Sequence, residues 1–332
     1  MTPSHALAPP PCPHRRSLLL GALSTAAAPL ARAQSGADAP VRLVVPFTPG
    51  TGIDLIARQI APPLSERLRR PFFVDNKAGA SGIIGTQEVV RATPDGTTLL
   101  VSVNTLVMNM ALYPKQGFNP LTDLAPVAQT SWGQLLLVTS VPSRIDTLKG
   151  LIERAKARPG SLNYGSPGAG TPHHLAMELL KNRARISLTH ISYRGTAPAV
   201  TDLLAGQIDA MFLPIHVALQ HVKAGKLKAL AISSDNPHPL LPEVPSLGSL
   251  QLGNLNVDMW YGVFAPTGTP SSFVERLNTE LREVLASPAV ARSFETQGMT
   301  PAHSSPEAFQ KLVSADARRW AELIKAQGIT AE

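Results

Sequence analysis

"LNYGSPGAGTPHHL", residues 162–175, and "LVVPFTPGTGIDLIAR", residues 43–58, share one plan. In each, an extended apolar segment runs into a loop of small residues and prolines, and the loop opens a helix-like run. Strand, loop and helix in that order is the building unit of an α/β fold. Glycines let a ligand come close to the backbone, and a helix start leaves N–H donors unpaired at the positive end of its dipole. Either loop alone reads equally as an anion cradle or as an ordinary helix start. Two of them, more than a hundred residues apart in one chain, point to two α/β domains that offer facing cradles to a small carboxylate.

Working outward, "VRLVVPF" (41–47) reads as a strand and "GIDLIARQIAPPLSERL" (52–68) as an amphipathic helix with an irregularity at its Pro-Pro pair. "FFVDN" (72–76), "IIGTQEVVRA" (83–92) and "TTLLVSV" (97–103) continue as strand, helix and strand, with "TPDG" as a turn. The alternation predicts a largely parallel sheet. The chain is extended over 123–140, and a second set follows: helix 147–158, strand 159–166, helix 172–183, strand 187–192, helix 196–205 and strand 208–214. "LKALAISS" (227–234) and "MWYGVFAPTGTP" (259–270) lead into amphipathic helices at 271–286 and 306–327. No period of 20–50 residues repeats, which excludes a solenoid.

A chain of 332 residues has room for two ordinary domains. Its 44% apolar and 16% charged residues describe a packed globular protein, neither coiled coil nor disordered. Residues 1–33 hold three arginines and no acid, so the formal charge of +7 falls to +4 for the rest, diffusely spread. No basic cluster with interleaved aromatics is present, and no nucleic-acid partner is expected.

"HRRSLLLGALSTAAAPLARAQS" (14–35) carries an arginine pair, a short apolar run and Ala31-x-Ala33, the pattern of an export signal cleaved after Ala33. The run is too short and too interrupted by Gly21 and Pro29 to span a bilayer. Arg15-Arg16 suggests the twin-arginine route, while Leu where phenylalanine is usual leaves the general secretory route open. Cys12, the single cysteine, would be discarded with the signal, so disulfides and thiol chemistry are not expected.

Catalytic readings find little footing. A nucleophile elbow needs glycine two residues before the serine, and Ser166 has Tyr164 there. Adjacent His173 and His174 project about 100° apart on a helix and cannot share a metal as an i, i+4 pair does. The alternatives for them are one packed in the first turn with the other solvated, or one contacting a ligand. "TPGTGID" matches neither a P-loop nor a dinucleotide fingerprint. No catalytic residue, metal or cofactor is expected.

The segments "VRLVVPFTPGTGIDLIARQIAPPLSERL", "VDNKAGASGIIGTQEVVRATPDGTTLL", "LNYGSPGAGTPHHLAMELL", "HISYRGTAPAVTDLLAGQIDAMF", "KAGKLKALAISS" and "YGVFAPTGTP" together resemble the substrate-binding receptors of tripartite tricarboxylate transporters, the Bug family. The resemblance implies a periplasmic binding protein of type II-like fold, with two α/β domains around a hinged ligand cleft. The domains would be 34–138 with 256–332, and 139–255. It implies ligand contacts from Thr48, Gly50, Thr51 and Asp54 in the first loop and from Ser102, Asn104 and Thr105 after the third strand. From the second domain it implies Ser166, Gly168, Gly170, Thr171 and His174, then Tyr193, Gly195 and Thr196, and finally Asp209. Arg194 reads equally as a carboxylate clamp or as a solvated residue.

Three positions depart from the family pattern: Thr51 where glycine is usual, Ile53 where a small polar residue precedes the aspartate, and Leu213 where a polar residue follows the phenylalanine. A more apolar wall favours an aromatic or branched carboxylate over citrate. The resemblance implies a monomeric periplasmic receptor that hands a small carboxylate ligand to membrane permease subunits. The alternative is a ligand-sensing protein that docks on a sensor kinase domain.

Overall fold

The computed structural model describes residues 39–250 and 255–331. The segment read as an export signal, with Cys12 and the cleavage point after Ala33, lies outside the described residues. Strand β1 (Val41–Val45) leads into α1 (Gly52–Leu68), whose Ile53, Ile56, Ala57, Ile60 and Leu64 recur at helical spacing and are buried. The helix continues through Pro62 and Pro63 and stops where Arg69 turns left-handed at φ 52°. Next come β2 (Phe72–Asn76), α2 (Ile83–Val90), β3 (Thr98–Val103), α3 (Thr105–Leu112), α4 (Pro120–Asp123) and β4 (Leu124–Gly133). After Gln134 the chain enters β5 (Leu135–Ser140), α5 (Leu148–Ala157), β6 (Asn163–Ser166), α6 (Pro172–Ala184), β7 (Thr189–Ser192), α7 (Thr196–Leu204), β8 (Ala210–Pro214), α8 (Ile215–Lys223) and β9 (Leu227–Ile232). It ends with β10 (Met259–Pro266), α9 (Ser271–Ala286), α10 (Pro288–Thr296), β11 (Met299–Pro301) and α11 (Pro306–Gln327).

Two sheets result, in the orders β11-β4-β10-β3-β1-β2 and β7-β6-β8-β5-β9. Only their outer parts are parallel: β1 pairs in parallel with β2 and β3, and β6 with β7 and β8. Strand β10 runs antiparallel to both β3 and β4, and β5 antiparallel to β8 and β9. The sheets are therefore mixed, not largely parallel as the βα alternation predicts. The antiparallel strands are those next to the crossings: β4 and β5 flank Gln134, and β10 returns from the second sheet to wedge between β3 and β4. The sequence-based division at 138/139 falls inside β5.

Both faces of the second sheet are covered, which is why its strands are continuously apolar. Leu135, Leu137 and Phe212 share a core with Leu175 and Leu179 of α6, while Leu136, Val138, Met211 and Leu213 pack with Ala199 and Leu203 of α7 and Ala218 of α8. In the first sheet α11 lies so close to β10 that a Cβ at Gly262 would sit 2.2 Å from Phe309 Cζ. Trp260 Nε1 donates to Asp316 Oδ2 at 2.8 Å and clamps the same contact. Among the described residues no helix is long and apolar enough to cross a membrane.

Candidate functional site

Six strands of the two parallel arrays, β1, β2, β3, β6, β7 and β8, each deliver the chain into a helix at their C-terminal ends, and those ends face one another. Between them lies a closed cavity with about 30 Å³ of water-accessible volume, room for about two waters. Phe47, Thr51, Gly52 and Ile53 line it from the β1–α1 turn, Val103 and Thr105 from β3–α3, and Met259 and Tyr261 from β10. From the other side come Pro167, Thr171, Pro172 and His173 of β6–α6, Thr196 of α7, and Pro214 and Val217 of β8–α8. A groove of about 690 Å³ adjoins it, sharing Phe47 and Pro167 and lined further by Thr48, Ser81, Tyr113, Gly168, Tyr193 and Arg194. Its two sides meet through Ser81 Oγ, which donates to Ala169 O at 2.6 Å, and Tyr113 OH, which donates to Ala169 O at 3.2 Å.

The cavity gathers the starts of α1, α3, α6, α7 and α8, whose first N–H groups and positive dipole ends favour an anion. No arginine, lysine, aspartate or glutamate lines it. Several polar atoms around it are buried without a partner: Thr48 Oγ1, Thr105 Oγ1, both ring nitrogens of His173, and His216 Nε2. Buried polar atoms are ordinarily hydrogen-bonded, so their clustering here marks a place where a ligand or water completes the bonding. Burial pushes the His173 imidazole down to about 3, with His216 adding to the effect, and pushes His216 down to about 4. Both are neutral at physiological pH.

The structure brings Thr51, Thr105, Thr171 and Thr196 to the cavity, and Thr48, Gly168, Tyr193 and Gly195 to the adjoining groove. The remaining residues named from sequence hold the loops from behind. Gly50 is exposed at φ 82°, and its N–H donates to Asp54 Oδ2 at 2.9 Å. Asp54, 2% exposed, also accepts from Arg58 Nε at 3.0 Å and from Asn76 Nδ2 at 3.0 Å, so its carboxylate braces the loop and does not face the cavity. Ser102 points into the interior of the first sheet's half, and Asn104 Nδ2 donates to Asp258 O at 3.1 Å, joining β3 to β10.

In the second half Ser166 is fully buried; its Oγ donates to Gly168 O at 3.0 Å and lies 2.7 Å from His190 Nε2. Gly170 N donates to His174 Nδ1 at 3.2 Å. His174 therefore turns away from the cavity and stacks on His190 with centroids 4.3 Å apart. The neighbour that faces the ligand space is His173, and neither histidine is solvated, at 8% and 3% exposure. Asp209 stands at the opposite end of its strand: its Oδ2 accepts from Asn163 N, where parallel β6 and β8 begin, whereas the cavity lies where they finish. Leu213 belongs to the core behind α7 and α8, while Ile53 does form part of the cavity wall.

His173, Met259, Tyr261 and Val217 are the lining residues that sequence reading passed over. One signal was available for Val217: "FLPIHVAL" repeats the strand–turn–helix plan of the two quoted loops a third time. Among the described residues no three His, Cys, Asp or Glu side chains are grouped to hold a metal ion.

This fold, two mixed α/β sheets with a ligand-sized space between the ends of their strands, is that of type II periplasmic binding proteins. Residues 56–329 match the model of the tripartite tricarboxylate transporter family receptor, and the chain belongs to that family of solute-binding receptors, which are not enzymes. It is 38% identical over 93% of its length, and 94% of the relative's, to the UPF0065 protein in the tcbD-tcbE intergenic region of Pseudomonas sp. strain P51. It superposes on the periplasmic binding protein BugD with a TM-score of 0.84 and 32% identity, covering 88% of this chain and 98% of that one. An R. palustris protein solved with adipate gives a TM-score of 0.85 at 31% identity, again covering 88% of this chain and 98% of the other.

Proposed function

We propose that the protein is exported, loses residues 1–33, and acts in the periplasm as a receptor that closes its two halves on a small carboxylate and presents it to the membrane permease subunits of a tripartite transporter. The observation that carries this reading is the convergence of five helix starts on a cavity without a single basic side chain. Such a site binds an anion through backbone donors and hydroxyls. The adipate-bound relative supports the carboxylate as the anion. The crossings at Gln134 and at Asn256–Asp258 are the hinge, and Thr48 against Gly195 and Ser81 against Ala169 are contacts made on closure.

A thermal-shift screen of mono-, di- and tricarboxylates tests this reading. A ligand that binds only the folded state adds about 2.7 kcal/mol of stability at a hundred times its dissociation constant, and the bound form should show a smaller radius of gyration in solution scattering. A screen in which no carboxylate shifts the melting temperature while a metal ion or nucleotide does would overturn it.

A further inference from the structure

The walls of the cavity narrow the ligand class, and this step rests on the reading of the cavity as the carboxylate site. Ile53, Val103, Pro214, Val217 and Met259 form its apolar side. Ile53 stands where the family pattern has a small polar residue, so part of this apolarity is particular to this chain. Against it stands one imidazole, His173, which is 8% exposed and lines the cavity with neither ring nitrogen hydrogen-bonded. A neutral imidazole has one N–H to give and one lone pair to receive. It sits in the first turn of α6, where the helix dipole already favours an anion.

A first carboxylate placed there meets an N–H and a helix start. A second carboxylate on the same ligand would be pressed against aliphatic side chains that offer no donor, and burying an unpaired charge is heavily disfavoured.

We propose that the preferred ligand is a monocarboxylate with an apolar body, its carboxylate held at the α6 start with a hydrogen bond from His173 and its body packed against Ile53, Val103, Val217 and Met259. The site discriminates by what it lacks: without a cation to meet a second charge, di- and tricarboxylates are rejected.

Titration calorimetry with benzoate, phenylacetate and 3-methylbutanoate against succinate, adipate and citrate tests this directly. The best monocarboxylate should bind at least about 100-fold more tightly than any di- or tricarboxylate, the penalty expected for an unpaired buried charge. Equal or tighter binding of adipate or citrate overturns the proposal while leaving the receptor reading intact; binding of no carboxylate at all removes that reading as well.

Two variants locate the effect. His173→Phe keeps an aromatic ring and removes both nitrogens, and should weaken the monocarboxylate about 10- to 100-fold, as loss of a hydrogen bond to a charged group does; His173→Gln, which keeps a donor, should recover part of the loss. Val217→Arg brings a cation to the apolar wall and should raise adipate affinity relative to benzoate at least 10-fold. Unchanged affinity in folded His173→Phe, or unchanged selectivity in Val217→Arg, contradicts the assignment of carboxylate and body to these two walls. Should His173→Phe fail to fold, Val217→Arg on the surface-facing first turn of α8 still decides.

Discussion

The β1–α1 loop and the β6–α6 loop look alike in sequence and are braced by opposite means. The first is tied by a charge. Burial alone would raise the Asp54 carboxyl, but hydrogen bonds from Arg58, the Gly50 N–H and Asn76 outweigh it and hold the group below the usual carboxylate range. The second loop is tied by neutral groups: Thr171 Oγ1 donates to Gly168 O at 2.7 Å, Gly170 N donates to His174 Nδ1, and His190 sits on Ser166. Behind it His174 and His190 stack, with Tyr164 at 4.8 Å from His190. Burial pushes His174 and His190 each down to about 4. One plan thus yields a loop that depends on a carboxylate staying ionised and a loop that depends on imidazoles staying neutral.

The largest effect should come from the second loop's closest approach to the opposite half. Gly168 has φ 149°, a conformation that side chains rarely adopt, and a Cβ there would lie 2.6 Å from Ser81 Oγ. Gly168→Val should therefore strain the backbone by about 1–3 kcal/mol and push Ser81 off Ala169 O, abolishing ligand binding in calorimetry while the isolated fold still melts cooperatively. Retained affinity would mean that the closed contact between the halves plays no part in binding.

Next in size, Asp54→Ala removes the acceptor of three donors in the first loop and should cost about 2–3 kcal/mol of stability in urea denaturation. Arg58 is half exposed, so water replaces part of what it loses. The loss should be the same with and without ligand, since Asp54 does not face the cavity. A change in ligand affinity larger than the change in stability would return Asp54 to the binding site.

Acid should separate the two braces. The folded-state values of His173, His174, His190 and His216, about 3 to 4, lie below the unfolded value of 6.5. The unfolded chain therefore binds protons first as pH falls: the stability these groups lend is complete above about pH 6.5 and is lost between there and pH 4, at about 1.4 kcal/mol per pH unit for each. Asp258, raised to about 6 by burial, works in the other direction over part of the same window and offsets about one histidine. Urea midpoints at pH 7, 6 and 5 should fall accordingly. His174→Asn, which offers Gly170 an acceptor that does not titrate, should reduce the slope, and Asp54→Ala should leave it alone. The reverse outcome would break the comparison.

Local pattern carried much of this architecture into the sequence, and tertiary contacts carried the rest. The bounds of α1, β2, α9 and α11 follow from apolar spacing and from their caps, all of it within a few residues of chain. Helix α3, "TLVMNMAL", is apolar almost all round and shows no stripe to read, and α8 starts directly off Pro214 with no spacer to announce it. The antiparallel strands escaped because β10 reaches its place between β3 and β4 from more than a hundred residues away. In the site, threonines at helix starts were legible because their position follows from the turn itself. The choice between His173 and His174 was not: helical geometry separates the two rings, but which of them faces the sheet is decided by Tyr164 and His190. Asp209 misled for a related reason, since a motif gives its place along a strand and not which end of the sheet bears the ligand.

The smallest effect on stability, and the sharpest on recognition, should come from Thr51. It occupies the N-cap of α1, yet its side chain caps no backbone N–H; its Oγ1 donates instead to Thr48 O at 3.1 Å. Glycine is nearly as good as threonine at an N-cap, so Thr51→Gly should change the urea-derived stability by only a few tenths of a kcal/mol. In the cavity the same change removes a hydroxyl and a methyl group next to Ile53 and opens the wall on the first loop's side. Ligands longer by one or two methylenes should gain up to about tenfold over shorter ones, since each methylene transferred from water is worth about 0.8 kcal/mol. A stability loss above 1 kcal/mol with unchanged ligand ranking would show that Thr51 holds the first loop together, as Asp54 does, and that ligand choice lies wholly with the second.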